Sequence, residues 1–216
     1  MSNIIYPKLN LPRLASRTFD PLYNLILPPR DSKDSGNTGR FIDRHTKTLV
    51  AAILSSKGPD LSQFGVEIKS KYNDTNTDWT IGTMTLLDII NTPMYKDTEI
   101  YQKMQALLLC TCDDNLRKII DIGLYYMDMD EIQILLENSY LGARTQILKF
   151  VLPFWSKNQP IDWKSNFQNF KGPYAKFERT ASVNSLAFRI TSSDMEHLKN
   201  IASTAYSFNL NFAESY

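Results

Sequence analysis

Cysteine and histidine are scarce in this sequence, whose 216 residues include only two of each. Cys110 and Cys112 are separated by one residue on a predicted strand, so they cannot easily form a disulfide with each other. We interpret them as reduced, buried thiols of a cytoplasmic protein. The low counts exclude a zinc site rich in cysteine or histidine, and they give no support to a catalytic triad that needs histidine.

Long hydrophobic runs and phosphate-binding loops are also absent from the sequence. No stretch approaches the roughly 18 unbroken apolar residues of a membrane-spanning helix. Residues 1–8 lack the basic-then-apolar pattern of a secretory signal, and no Walker-type motif indicates a nucleotide-driven motor. Hydrophobic residues nevertheless make up 43% of the chain, which is enough for one sizeable core. We expect a single domain over residues 1–216.

Charge is nearly balanced overall, at a net +1, but it is unevenly distributed. Residues 1–71 carry a surplus of five positive charges and residues 138–190 a surplus of six, whereas residues 72–137 carry a deficit of eight. Local basic regions of this kind can bind a polyanion such as nucleic acid. The alternative is chance clustering on a solvated surface.

Hydrophobic periodicity predicts helices and strands without the regular alternation of a doubly wound sheet. Helices are predicted over residues 38–55, over most of 85–105 with a break near Pro93, from 128 to about 150, and from 192 or 193 through 201. Strands are predicted over residues 64–71, 79–84, 106–110, 118–126, 175–179 and 186–190, with the first two forming a hairpin. This pattern fits an α/β sandwich with a mixed central β-sheet flanked by helices. The apolar run 106–110 is its expected central strand, buried on both faces.

The strand over residues 64–71 carries the side chains best suited to chemistry. Its alternation places Glu67 and Lys69 on one face, roughly 7 Å apart. Asp60 lies on the approach to this strand and reaches the same face if the chain bends back there. Two carboxylates beside a lysine suit Mg²⁺-assisted phosphodiester hydrolysis, because Mg²⁺ is usually held by one or two carboxylates and an ammonium can hold the attacking water. The alternative is an ordinary amphipathic strand with a solvated Glu–Lys face.

The spacing of these residues also matches a known signature. Pro-Asp at residues 59–60, six intervening residues and Glu-Ile-Lys at 67–69 form the motif by which the chain resembles the PD-(D/E)xK nucleases. The run GVEIKS at residues 65–70 resembles more narrowly the MutH-like repair nucleases and their restriction-endonuclease relatives, and the resemblance covers roughly residues 36–85. It implies a restriction-endonuclease-like sandwich with its catalytic core over about residues 36–126. It also implies Mg²⁺ as the cofactor, for which Mn²⁺ can substitute.

The resemblance assigns roles to individual residues. Asp60 and Glu67 would be catalytic metal ligands, and Lys69 would position the nucleophilic water. Relatives of the MutH group take a further acid from the preceding helix, and Asp43 occupies a comparable place here as a third metal ligand. Its spacing to Asp60 is a few residues longer than in the family, and the acid is Asp rather than Glu.

Two residues of the same predicted helix also have interpretations that involve no catalytic role. Asp43 can equally be a surface partner for Arg40 or Lys47, which lie three and four residues away. For His45 we expect a structural or phosphate-contacting role rather than a catalytic one.

The C-terminal part, about residues 150–216, combines positive charge with aromatic side chains. The resemblance implies that the part following the catalytic sheet supplies DNA recognition. The candidate DNA contacts are Lys71, which shares a face with Lys69, and Tyr174, Lys176, Arg179 and Arg189. Lysine suits phosphates and arginine suits guanine edges. The alternative is that most of the aromatics are core residues and the basic side chains are solvated.

The motif leads us to expect a sequence-specific, Mg²⁺-dependent endonuclease that cuts double-stranded DNA, as a type II restriction enzyme does. Such a protein would be cytoplasmic, bacterial or phage-encoded, a monomer or a homodimer, and accompanied by a DNA methyltransferase acting on the same site. Two alternatives stay open. One is a MutH-like repair endonuclease that nicks DNA when a partner activates it, and the other is a DNA-binding protein without catalytic activity.

Overall fold

Two four-stranded β-sheets and five α-helices make up the part of the chain that the structure describes. The structure is a computed structural model describing residues 14, 18–29, 36–50, 58–74, 77–157, 159–161, 170–180 and 185–209, with the backbone alone at 36–37 and 203–209. The chain is therefore of the mixed α/β class, as the sequence predicts. No helix in the described ranges has the length and hydrophobicity needed to cross a bilayer.

The helices occupy the regions that periodicity predicts. In chain order they are α1 (Gly36–Leu49), α2 (Leu86–Asn91), α3 (Glu99–Lys103), α4 (Asp130–Ser156) and α5 (Ser192–Ile201). The predicted end of the first helix, residues 51–55, lies outside the described residues. Threonine side chains at 85, 98 and 191 accept hydrogen bonds from backbone amides in the first turns of α2, α3 and α5, which fixes where these helices begin.

The strands also lie close to their predicted positions, with two additions. They are β1 (Val66–Tyr72), β2 (Trp79–Thr85), β3 (Ala106–Asp113), β4 (Lys118–Tyr126), β5 (Phe170–Lys171), β6 (Lys176–Arg179), β7 (Ser185–Ile190) and β8 (Ser203–Asn209). Neither β5 nor β8 was predicted from the sequence, because β5 has only two residues and β8, STAYSFN, does not alternate strictly between apolar and polar residues. The predicted start of β1 at residue 64 is also too early, since Ser62–Phe64 form a turn of 3₁₀-helix instead.

The first sheet has the strand order β1-β3-β4-β8 and is mixed, because β1 and β3 run parallel while the other pairs run antiparallel. The prediction that 106–110 is a central strand buried on both faces is confirmed. Leu107 and Leu109 enter the larger hydrophobic core, whereas Leu108 and Cys110 enter the smaller one on the opposite face. Val66 and Ile68 of β1 share the smaller core with Ile42 of α1, so the apolar face of β1 packs on a helix as expected.

The predicted hairpin between β1 and β2 is wrong. The two strands belong to different sheets, since β1 pairs with β3 and β2 pairs with β7. The amide of Asn73 still donates to the carbonyl of Cys112 (2.9 Å), so the chain follows β3 past the end of β1 before it leaves the sheet. Alternation within a strand encodes its two faces but not its neighbour, and this is why the pairing was mispredicted.

The second sheet, β2-β7-β6-β5, is antiparallel and packs with α4 in the larger core. The expectation of a single central sheet therefore needs correction, because strands predicted to extend it form this separate sheet. Helix α4 also runs nearly two turns beyond its predicted end, through Pro153 to Ser156. A proline so close to a C-terminus removes a single backbone hydrogen bond, and both Pro153 and Lys149, whose carbonyl loses it, are exposed to water.

Candidate functional site

Strand β1 forms one edge of the first sheet, and the motif residues lie along this edge. The chain doubles back just before it, so that Leu61 and Val66 exchange two backbone hydrogen bonds of 2.8 and 3.3 Å. Within this bend the Asp60 amide donates to Glu67 Oε2 (3.2 Å), and Asp60 Oδ2 accepts from the Ile68 amide (3.0 Å). The bend that the sequence analysis required for Asp60 to meet Glu67 is therefore present.

Gly65 makes the bend possible. It follows the 3₁₀ turn Ser62–Phe64 with φ of 64°, a left-handed conformation that costs glycine little and side-chain-bearing residues more. Because the 3₁₀ turn and Gly65 together reverse the chain within a few residues, Asp60 and Glu67 are held together by local geometry.

Glu67 is buried, with 2% of its surface exposed, so the solvated Glu–Lys face considered above is wrong. Its Oε1 accepts a hydrogen bond from Lys69 Nζ at 2.6 Å and lies 3.7 Å from Lys103 Nζ. Burial raises the pKa of Glu67, and the Asp60 carboxylate raises it further, while the two ammonium groups oppose the rise. The buried carboxylate is thus held between two cations.

Two lysines of this site were missed by the sequence analysis. Lys47 on α1 lies 3.9 Å from Asp60 Oδ1, and Lys103 on α3 is the second cation beside Glu67. Burial by itself lowers the pKa of Lys103, but the Glu67 and Glu99 carboxylates outweigh it and raise the pKa. Each lysine follows an acid by four residues, which is also the spacing of ordinary surface ion pairs, so the sequence alone does not single them out.

Asp43 contacts Lys47, and Lys47 in turn lies beside Asp60. Both of its carboxylate oxygens lie 2.9 Å from Lys47 Nζ, as in the alternative that made Asp43 a partner of that lysine. Lys47 therefore stands between the carboxylates of Asp43 and Asp60. The role of Asp43 as a metal ligand stays a prediction.

Comparison of the chain with protein-family models finds no match, and comparison with curated proteins finds no similar sequence. What the site can do therefore follows from its own donor atoms.

The donor set consists of carboxylate oxygens, which hard cations such as Mg²⁺ prefer. In the described part of the chain, no three or more acidic, histidine or cysteine side chains converge closely enough to hold a metal by themselves. The pair Asp60 and Glu67 still fits Mg²⁺, which is usually bound by one or two carboxylates with water and substrate phosphate completing its shell. The residues therefore fit a metal that binds together with a phosphate substrate.

Lys71 shares the face of Glu67 and Lys69 on β1 but contacts different elements. Its Nζ donates to Ser192 Oγ at the start of α5 (2.9 Å) and lies 4.7 Å from the centre of the Trp79 ring. Burial lowers the pKa of Lys71. These contacts connect the motif strand to the second sheet, and a DNA contact by Lys71 stays a prediction.

The other candidate DNA contacts lie on or beside the second sheet. Lys176 pairs with Asp78 (2.7 Å) and Glu178 (3.3 Å), and Arg189 Nη1 lies 3.6 Å from Glu178. We call these four residues the second-sheet cluster; its two positive charges are balanced by two negative ones. Arg179 follows in the same strand, β6, and is half-buried. The structure thus pairs Lys176 and Arg189 within the protein, and their contact with DNA remains a prediction.

Four remaining residues discussed from the sequence also pack against other parts of the protein. The Tyr174 ring stacks on His197, with centroids 5.5 Å apart. His45 Nδ1 is 2.9 Å from the Phe41 carbonyl oxygen and its ring contacts the Phe41 ring, which fits the expected structural role. Cys110 and Cys112 are free and buried, and burial raises the pKa of both thiols, to about 12 for Cys112. Neither thiol is a reactive nucleophile in this setting.

Proposed function

We propose that this protein is a Mg²⁺-dependent endonuclease of the PD-(D/E)xK type that hydrolyses phosphodiester bonds of double-stranded DNA. The proposal rests on one observation. Asp60 is joined to the segment Glu67–Ile68 by two hydrogen bonds, one that its amide donates and one that its carboxylate accepts, and Lys69 Nζ lies 2.6 Å from the Glu67 carboxylate. Residues seven and nine positions apart in the sequence thereby form one compact group. Holding the buried Glu67 carboxylate beside a second carboxylate is costly, and such an arrangement is typical of a functional site.

The roles of the three residues follow from their chemistry. Asp60 and Glu67 would hold Mg²⁺, which when bound polarises a phosphoryl oxygen and acidifies a water. Lys69, with its ammonium at the Glu67 carboxylate, is placed to orient that water and to offset negative charge developing on the phosphate. Lys103 and Lys47 add positive charge that favours approach of the DNA backbone.

The fold supports the same proposal at a coarser level. The motif lies on an edge strand of a mixed sheet that has α1 on one face and the second sheet with α4 on the other. We propose that this is a restriction-endonuclease-like arrangement, with residues from about 150 onward serving recognition. A type II restriction enzyme that reads a specific sequence is the activity we favour, and it would work beside a methyltransferase that protects the host's own sites.

The test is cleavage of supercoiled plasmid and of unmethylated phage DNA by the purified protein with Mg²⁺. We expect discrete fragments that disappear with EDTA and with Lys69→Met. Lys118→Met is the control, because it removes an exposed lysine at the start of β4 that is not among the residues proposed to bind metal or DNA. It should retain cleavage within a few-fold.

Other outcomes separate the alternatives. Conversion of supercoiled plasmid to open circles without linear product would identify a nicking enzyme. Intact DNA with both Mg²⁺ and Mn²⁺, from folded protein that still binds DNA, would replace the nuclease proposal by a non-catalytic DNA-binding protein.

A further inference from the structure

Helix α4 is apolar on two opposite sides. Its inner side, which includes Ile132, Leu136 and Ile147, is fully buried in the larger core. Its outer side also carries large apolar residues, and Ile134 and Leu152 are each 56% exposed. An exposed apolar stripe along a helix of 27 residues is unusual for a surface that only meets water.

The outer stripe has the spacing of a coiled-coil seam. Its members follow one another at alternating steps of four and three residues: Ile134, Asn138, Leu141, Thr145, Leu148, Leu152 and Trp155. Five of the seven are large and apolar, and all except the half-buried Leu148 are exposed. A helix with this pattern buries its stripe against another helix that has a matching stripe.

The charges along α4 indicate the direction in which a partner helix packed against it would run. The first eight residues, 130–137, contain three acids and no base, whereas residues 144–157 contain three bases and no acid. Glu131 is exposed at the acidic end, and Lys149 and Lys157 are exposed at the basic end. Two such helices in parallel would set like charges side by side, while an antiparallel pair sets the acidic end of each against the basic end of the other.

We propose that the outer face of α4 is a homodimer interface in which the helix pairs antiparallel with α4 of a second copy about a two-fold axis. With the axis near residue 143, the seam positions face each other in three kinds of layer, repeated by symmetry: Ile134 with Leu152, Asn138 with Leu148, and Leu141 with Thr145. Apolar side chains face one another directly in the outer layers, and the two polar seam residues, Asn138 and Thr145, each face a leucine of the other copy. The interface uses none of the site residues on β1.

The first test is the mass of the protein in solution across a concentration series, by light scattering or sedimentation. We expect a dimer for the native chain and a monomer for Leu141→Glu, which buries a charge near the two-fold axis. The matched control is Leu116→Glu, at a residue that is 62% exposed in the turn between β3 and β4, and it should remain a dimer. A native monomer at every concentration, or a Leu141→Glu variant that stays a dimer, would overturn the proposal.

The second test fixes the orientation with single cysteine substitutions and a short bis-maleimide. About the proposed axis, Thr145 of one copy is offset by four residues from Thr145 of the other, roughly 6 Å along the helix, whereas Ile134 is offset by eighteen, roughly 27 Å. We expect Thr145→Cys to give a cross-linked dimer and Ile134→Cys to give none. The native thiols are buried, and the unmodified chain reports any reaction they undergo. Cross-linking at residue 134 would instead show a parallel pair and exclude the antiparallel interface.

Discussion

Two clusters of acids and lysines on strands of this protein look alike in sequence but differ in burial. At the edge of the first sheet, one carboxylate, that of Glu67, is shared by Lys69 and Lys103 and is 2% exposed. In the second-sheet cluster, one ammonium, that of Lys176, is shared by Asp78 and Glu178, and the Glu178 side chain is 28% exposed. The first cluster places a charge where water cannot solvate it, and the second leaves its charges partly in water.

The difference in burial shows which cluster lowers the stability of the folded protein. An exposed ion pair contributes little either way, because water solvates both partners nearly as well as they solvate each other. A buried carboxylate loses its hydration and depends on its cations. A buried ion pair of this kind is weak evidence for a stabilising role, and we propose metal-dependent hydrolysis as the reason for the place of Glu67 at the edge of the sheet. The comparison between the clusters can be tested by changing matched residues in each.

The largest expected effect concerns activity. Glu67→Gln removes a proposed metal ligand while keeping the shape of the side chain, and we expect cleavage to fall by about 10³-fold. Glu178→Gln makes the same change in the second-sheet cluster and should alter cleavage by less than about tenfold. A partly exposed charge away from the reacting atoms affects the rate of DNA binding rather than the chemical step. Initial rates on a plasmid substrate with saturating Mg²⁺ measure both. Equal losses in the two variants would remove the distinction between the clusters.

The next effect concerns how the second sheet is held in place. A Cβ added at Gly172 would lie 2.2 Å from Ser139 Cα of α4, a backbone clash that no rotamer relieves. We expect Gly172→Ala to lower the free energy of unfolding by about 3 kcal/mol. At Gly142, which faces the same contact from the helix, a Cβ meets Gly172 Cα at 3.8 Å, so Gly142→Ala should be neutral or gain up to about 1 kcal/mol. Urea denaturation of both variants measures this difference in unfolding free energy. Equal stability of the two variants would contradict the prediction.

A third pair of variants compares the lysines directly. Lys69→Met leaves the buried Glu67 carboxylate with Lys103 alone, and we expect a loss of about 2 kcal/mol in unfolding free energy in metal-free buffer. Lys176→Met leaves two partly exposed carboxylates that water can solvate, so its loss should stay below about 1 kcal/mol. The ranking, measured by denaturation at neutral pH, would be contradicted by a larger loss for Lys176→Met.

The smallest effect is a pH dependence that only the buried cluster should show strongly. Burial raises the pKa of Glu67 above its ordinary value of 4.5, so the folded protein binds a proton there more tightly than the unfolded chain does. The stabilisation from this proton is complete below the unfolded pKa and is lost as pH rises through the folded pKa. Relative to Glu67→Gln, the metal-free native protein should lose stability from about pH 4.5 upward and then level off. A difference that grows with pH would reverse the sign and refute the assignment.

The sequence predicted much of the motif because the relevant information is local. Alternation defined β1, and the spacing of Asp60 to Glu67 matched a bend that Gly65 closes within a few residues. The apolar run at 106–110 likewise predicted a central strand, because a strand covered on both faces is apolar at every position.

The remainder of the site depends on long-range pairing, which no local pattern encodes. The partner of β1 is β3, reached through β2, α2 and α3, whereas the prediction chose the next strand along the chain. Lys103 approaches Glu67 only because of that crossover, and Lys47 approaches Asp60 only because α1 packs on β1. On a helix, a lysine four residues after an acid reads as a solvated pair until the packing is known.

The order of the strands also has a consequence for how the chain folds during synthesis. The far edge of the first sheet is β8, and α4 with three strands of the second sheet lies between it and its partner β4 in the sequence. Because the ribosome synthesises the chain from its N-terminus, the edge of β4 stays unpaired until those later elements and β8 have emerged. An unpaired strand edge can pair with other chains and lead to aggregation. We expect refolding to be slow and its yield to fall with protein concentration. The long segment between β4 and β8 must be closed into a loop, at a cost in entropy, before the β4–β8 pairing can stabilise it.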